Sequence, residues 1–405
     1  MNKPKFILKA CVASAVVFAP FSGYAFDLSS WTSKSTVVPF YFSTSSMGHT
    51  VGLGGFLQGA TQEHDTLLGV GMYSNKGSYI NYANYLNYMI GHNWLASADL
   101  YNGKYVDNDY YLGGQGEANS SGDSTFTTGR ESKYTMSLKY VLPWGSGANE
   151  GSLAVIKPVR ELKSVHNPLT SGVTSLELQP FYSSRTLEDS VSTPEATYGA
   201  KLTLDWDNRD DIRNTTTGSK TTLSYTYSPS HKDDTSWSKI ELETGRYFDL
   251  GNLGDLFNKQ VLAFSFYGAD TPSWNNCNST ACNRPPEFER VRLGGLFKLR
   301  SESAGRYHGR TAVHYSAEYR VMPDWQPLGE LPIIEDYYDV SWWQWVAFLD
   351  AGQVSDEFNI KSLHSNMSWS TGGAIRFQVE GVVVRTEMAW GSNESSFQVM
   401  INQPF

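Results

Sequence analysis

Apolar and polar positions alternate with a period of two along most of the chain. Phe397, Val399, Ile401 and Phe405 alternate with Gln398, Met400, Asn402 and Pro404, the repeat of a strand with two unlike faces. Upstream, Val382, Val384, Thr386, Met388 and Trp390 share one face and Arg385 and Glu387 the other. Ile375, Phe377 and Val379 alternate with Arg376, Gln378 and Glu380. Val313, Tyr315, Ala317, Tyr319 and Val321 alternate with His314, Ser316, Glu318 and Arg320. The plan recurs at Leu262, Phe264 and Phe266, at Tyr198, Ala200, Leu202, Leu204 and Trp206, and at Tyr134, Met136, Leu138, Tyr140 and Leu142. A soluble sandwich alternates in the same way, so length decides. Many of these runs last 9 to 12 residues, the span of a tilted strand across a bilayer, against about 5 or 6 for a sandwich strand. The pattern predicts an all-β fold, a transmembrane antiparallel β-barrel of sixteen strands in one domain, residues 35–405. Its charged face turns to a wet lumen. Segments 103–130 and 144–172 fit no strand clearly.

The N-terminus changes the picture from fold to destination. Lys3, Lys5 and Lys9 precede an apolar stretch from Ala10 to Pro20, and small residues flank Tyr24 in Gly23-Tyr24-Ala25. This predicts a signal peptide, residues 1–25, cleaved after Ala25. A lipid-acceptor role for Cys11 fits less well, because Lys9 interrupts the apolar run. Residues 26–34 are then a short periplasmic lead-in. Cleavage removes three lysines and no acid, taking the net charge from −9 to −12, which argues against a nucleic-acid partner. Twenty-four Tyr, 20 Phe, 12 Trp and 36 Gly with 18% charged residues suit an aromatic-girdled barrel among outer-membrane lipids. Trp342, Trp343 and Trp345 read as part of that girdle. Cys277 and Cys282 lie close together in a Pro/Asn/Ser-rich segment. An exported protein would join them as a loop staple, and without nearby histidines they cannot complete a zinc site.

The richest segments are FERVRLGGLFKLRSESAGRYHGRTAVHYSAEYR, residues 288–320, WVAFLDAGQV, residues 345–354, and LTLDWDNRDDIRNTTTGSKTTLSYTY, residues 202–227. Together with the Phe-terminated last strand they resemble, in order and spacing, the BamA/TamA-type outer-membrane assembly barrels, the bacterial surface antigen family. The resemblance runs from about residue 200 to 405. It implies that the loop carrying Arg300 folds back into the lumen, where Arg300 pairs with wall acids matching Glu318 and Asp350. The chain departs at the tip: Ser301 and Glu302 stand where the family has Gly and an aromatic, so Glu302 is expected beside Arg300, weakening the lock or replacing a partner. Phe397, Val399, Ile401 and Phe405 match the C-terminal signal read by the machinery that inserts such barrels. With Phe405 at the periplasm, the long segment from Asp270 to Arg310 falls outside the cell. Asp207, Arg209 and Asp210 order a periplasmic turn, since Asp side chains bond nearby backbone. Phe348 and Asp350 share a parity, so a bulge or the end of the lipid belt is expected between them.

Two functions follow from the resemblance and the pattern. One is assembly, insertion or translocation of client outer-membrane or secreted polypeptides. The family normally carries POTRA modules before the barrel, and residues 26–34 leave no room for one. The other is a plugged or passive porin-like channel. An enzyme is not expected: no Gly-x-Ser-x-Gly elbow, no His-Glu-x-x-His pair and no phosphate loop is present. His308 and His314 near acids read as structural, and no cofactor, catalytic residue or metal ligand is implied.

Overall fold

The computed structural model describes residues 34–44, 47–112, 123–164, 167–188, 196–231, 235–254, 256–277, 281–325, 340–379 and 382–401. The expected signal peptide, residues 26–33 and Phe405 lie outside them. The strands are β1 (Lys34–Thr44), β2 (Gly48–Gln58), β3 (Thr66–Ser74), β4 (Tyr79–Ile90), β5 (Trp94–Tyr110), β6 (Thr125–Val141), β7 (Val173–Leu187), β8 (Ala196–Arg209), β9 (Gly218–Ser228), β10 (Trp237–Leu253) and β11 (Phe257–Asp270). A small hairpin follows, β12 (Val291–Leu293) with β13 (Tyr307–Gly309). The chain ends with β14 (Thr311–Pro323), β15 (Val340–Ser355), β16 (Ser368–Val379), β17 (Val382–Gly391) and β18 (Ser395–Ile401). All but β12 and β13 form one sixteen-stranded sheet in chain order, each strand antiparallel to the next. No helix among the described residues is long and apolar enough to cross a membrane.

The alternation has a direct structural reading. In β14, Tyr315 and Tyr319 are exposed outward while His314, Ser316, Glu318 and Arg320 are buried inward. In β17, Met388 and Trp390 face out and Arg385 and Glu387 face in. Phe397 and Val399 likewise face out, and Ile401 closes the described part of β18. The sheet curls around its charged face, because strands far apart in order share partners. Lys133 of β6 and Arg185 of β7 reach Glu289 and Glu287 in the β11–β14 connection. That connection also touches Ser370 of β16 and Gln398 of β18. At the other end, Asn214 in the β8–β9 turn meets Met322 of β14 and Gln344 of β15. The hydrogen-bonded order begins at β1 and ends at β18.

Two stretches that show no clean period are resolved differently. Residues 103–130 include the far ends of β5 and β6, which reach beyond their neighbours with a register shift between Tyr105 and Asn108. Residues 142–164 and 167–172 are not a strand. They form two single-turn helices, α1 (Gly147–Glu150) and α2 (Leu153–Ile156), and a bridge from Val159 to Asp211. This excursion packs on the ends of β6 and β7 through the small core of Val141, Ala154 and Val173 and bonds the β8–β9 turn through the backbone of Pro158 and Arg160.

Candidate functional site

The 271–310 connection holds the site. It leaves β11, passes the bonded pair Cys277–Cys282 and enters the lumen as β12, returning as β13. Its apolar side packs Val291, Leu293, Leu299 and Tyr307 against Tyr267, Ala269, Ala312 and Val354 of the wall, so burial drives it inward. At the tip, Gly294 has φ +101°, and a Cβ there would collide with the Ser303 carbonyl. Glycine is required for so tight a return. Leu299 adopts φ +51°, a conformation disfavoured for a side chain of that size. Its N–H meets His314 Nε2 at 3.2 Å, and the twist aims the next residue, Arg300, at the wall.

The seat for Arg300 is built from strand register. Ser316, Asp350, Ser370 and Gly391 lie side by side across β14 to β17, and Glu318, Phe348, Gly372 and Ala389 form the next inward-facing row. Arg300 is fully buried. Its Nε and Nη2 meet the two oxygens of Asp350 at 2.9 and 2.8 Å, and Nη1 meets Glu318 at 2.5 Å. Glu387 stands 3.5 Å from Nη1 and Ser316 3.2 Å from Nη2. The guanidinium carbon lies 3.6 Å from the centroid of the Phe348 ring. The acids are themselves shared: Arg320 and Arg385 hold Glu318 at 2.8 and 3.0 Å, and Arg385 also pairs with Glu387. Charges buried this way are tolerable because each carboxylate meets several donors.

Phe348 and Asp350 face the same way without a bulge. The register of β15 with β16 is continuous from Trp342 to Gly352, so the expected irregularity is absent. An aromatic belongs inside here because it stacks on a cation, and Gly372 leaves room for the ring. Glu302 also departs from expectation. Its carboxylate turns from Arg300 to Arg306 Nε at 3.2 Å and to the Asn393 N–H in the β17–β18 turn. Burial pushes its pKa up. Ser301 fills the seat instead, its hydroxyl 2.7 Å from that of Ser370. Trp345 faces outward, and Trp343 shares its parity, packing against Trp345 and Trp325 and donating to the Trp325 carbonyl, whereas Trp342 has the opposite parity and lies under the inward Arg376. Only part of that tryptophan cluster is girdle.

The tip is tied to the last strand. Ser396 Oγ and Gln398 Nε2 of β18 donate to the Arg300 carbonyl at 2.6 and 2.9 Å. Glu394 accepts from Ser303 N and Oγ, both at 2.8 Å, and pairs with Arg306. These partners, with Glu387, Arg385, Arg320 and Phe348, were not assigned to the lock by sequence. For Arg385 and Glu387 a signal existed in their inward parity, but none distinguished Ser396 or Gln398 from other polar positions. His308 contacts the carbonyls of Gly305 and Leu112. The Asp-rich turn is a separate structure: Asp207 pairs with Arg209 and with Arg160 of the 142–172 excursion, while Asp210 accepts the N–H groups of Thr216 and Thr217.

Comparison with known proteins follows the same geometry. No curated protein matches the chain. Among solved structures it is similar to BamA from Haemophilus ducreyi lacking POTRA domains 1–3, at 12% identity and a TM-score of 0.51, over 91% of this chain and 70% of that one. It is similar to CdiB from Escherichia coli, at 12% identity and 0.54, over 91% and 61%, and to CdiB from Acinetobacter baumannii, at 13% and 0.50, over 90% and 59%. The chain therefore spans less than two thirds of either CdiB chain, and at such identity the likeness speaks for the fold. A family model described as the Omp85 superfamily domain matches residues 76–405, well beyond the stretch that carries the motifs. The chain belongs to the Omp85 superfamily.

Proposed function

We propose that this chain is an outer-membrane barrel that handles polypeptides, inserting or translocating client proteins, and that the Arg300 lock holds it in a plugged resting form. The observation that supports this reading is the seating of Arg300, whose charge is shared by acids of β14, β15 and β17 while its carbonyl is held by β18. A buried guanidinium with several carboxylates is a two-position element: seated it is well solvated by the wall, half-seated it is costly. Such an anchor suits a plug that moves as a unit better than a loop that frays. The proposal assigns outer-membrane lipids as the surroundings, other outer-membrane or secreted polypeptides as clients and the barrel-assembly machinery as the route of its own insertion.

Depletion of the protein tests the proposal. Levels of other outer-membrane barrels or of a secreted client should fall while inner-membrane proteins hold steady. If every outer-membrane protein stays at its normal level and the intact barrel passes a large steady current, the chain is a passive channel and the client reading fails.

A further inference from the structure

The outer face of the first five strands carries a feature that neither the lock nor client handling uses. Strands β1 to β4 contain no charged side chain apart from Lys34. On their outward face Tyr41, Val51, Tyr73 and Tyr79 stand in one hydrogen-bonded row, and Leu53, Gly71 and Asn81 in the next. Because Gly71 has no side chain among large neighbours, the surface is concave there. A groove of about 830 Å³ is lined by these residues, with Val51, Leu53 and Tyr73 more than half exposed around it.

The same row continues past Tyr79 to Lys104 on β5 and Arg130 on β6, which face each other directly across the two strands. Like charges directly opposite on an antiparallel pair destabilise it. Among the described residues neither cation is paired with a carboxylate, for Glu131 turns to the lumen and bonds Arg185. Two facing cations in a chain of net charge −9 make a local positive patch that attracts an anion from outside. Tyrosines of the row mark the level where a barrel meets the headgroups. An apolar trough therefore ends at a double positive charge at interfacial depth.

We propose that this face is a binding site for a net-anionic, phosphate-bearing lipid, with an acyl chain in the groove over Gly71 and the phosphate between Lys104 and Arg130. A phosphate satisfies both cations at once, Arg130 through its fork and Lys104 as a point charge. Asn81 and Asn102 lie side by side in the adjoining outward row, Asn102 donating to Ser132 at 2.8 Å. The site needs the barrel in a membrane but is independent of any client.

The full chain, folded in detergent micelles, tests it by native mass spectrometry with cardiolipin as the probe and phosphatidylcholine, whose choline cation offsets its phosphate, as the net-neutral control. Wild type should retain one cardiolipin where phosphatidylcholine is stripped. Lys104→Gln with Arg130→Gln should weaken retention about tenfold or more, the loss of roughly one charge-assisted contact or better. Gly71→Leu should weaken it as well by filling the groove, and a Cβ there meets only Asn81 Oδ1 at 3.7 Å, so the backbone leaves room for a side chain to start outward. Heat-modified gel migration checks that each variant is folded. Equal retention of both lipids, or unchanged cardiolipin retention in the variants, overturns the site. Full displacement by inorganic phosphate with Gly71→Leu unaffected overturns it too, since the groove would then have no part.

Discussion

Arg300 touches Asp350, Glu318, Glu387 and the Phe348 ring at once, so its loss leaves a cluster of carboxylates short of a cation. Arg300→Ala is expected to destabilise the seated plug by about 3 to 5 kcal/mol, the usual range for breaking a buried ion pair from one side. The check is the temperature at which the folded form converts to the unfolded one on a detergent gel, with protease cleavage of residues 294–306 beside it. Combining Arg300→Ala with Asp350→Ala should destabilise by less than the two single changes added, because they remove one shared interaction; strict additivity would mean the two are not coupled. His308 gives the plug a pH dependence. Burial, with Arg290 beside it, holds its pKa down to about 4 against 6.5 in solvent. The released loop therefore binds more protons between those values, and seating weakens as pH falls from 7 toward 4, by up to about 3 kcal/mol. Glu302, whose pKa burial raises above 4.5, works in the opposite sense near the bottom of that window. Cleavage of the loop should quicken between pH 7 and 5 in wild type and stay level in His308→Gln.

The elements were legible in proportion to how regular their two faces are. Strands β14 to β17 alternate aromatic or aliphatic with ionic residues, and the sequence placed them together with the inward sense of Arg385 and Glu387. Phe348 shows the limit: parity put it in the lumen, but a rule that sends aromatics to lipid asked for a bulge, and only the position of Arg300 explains an inward ring. Glu302 was misread for a related reason, since adjacency in sequence does not give side-chain direction at a tip where Leu299 has positive φ. The excursion at 142–172 lacks any period because its helices are one turn each. Glycine at the tip's contact surface is the element-level test. A Cβ at Gly391 would strike Ser301 Oγ and the Trp369 carbonyl. Gly391→Ala should unseat the tip, making residues 294–306 protease-sensitive while β-sheet circular dichroism is retained. Loss of both signals together would show that the plug and the β16–β17 pairing are inseparable.

Across the whole molecule the lumen is filled from both ends. The 271–310 plug enters from one, and at the other the β8–β9 turn meets the wall through Asn214, with Arg376 reaching the Arg213 carbonyl. The intact barrel is therefore expected to be electrically silent in a planar bilayer, and removal of residues 294–306 to open it. The described polar contacts of the plug reach β6, β7, β10 and β14 to β18. The charge buried with it, on Glu318, Arg320, Asp350, Arg376, Arg385 and Glu387, sits on β14 to β17. Strands β2 to β4 contribute no charged side chain and rest on their ladders and outward apolar rows. Local opening is easiest where few interactions beyond the ladder must break. Backbone amides of β2 to β4 should accordingly exchange with deuterium sooner than those of β14 to β17 in the folded barrel. Arg300→Ala should speed the second set and leave the first unchanged, because the lock bears on one side of the sheet alone. Equal exchange around the sheet, or a uniform rise in the variant, would mean that the barrel opens as one cooperative unit and that the plug does not stiffen one wall over the other.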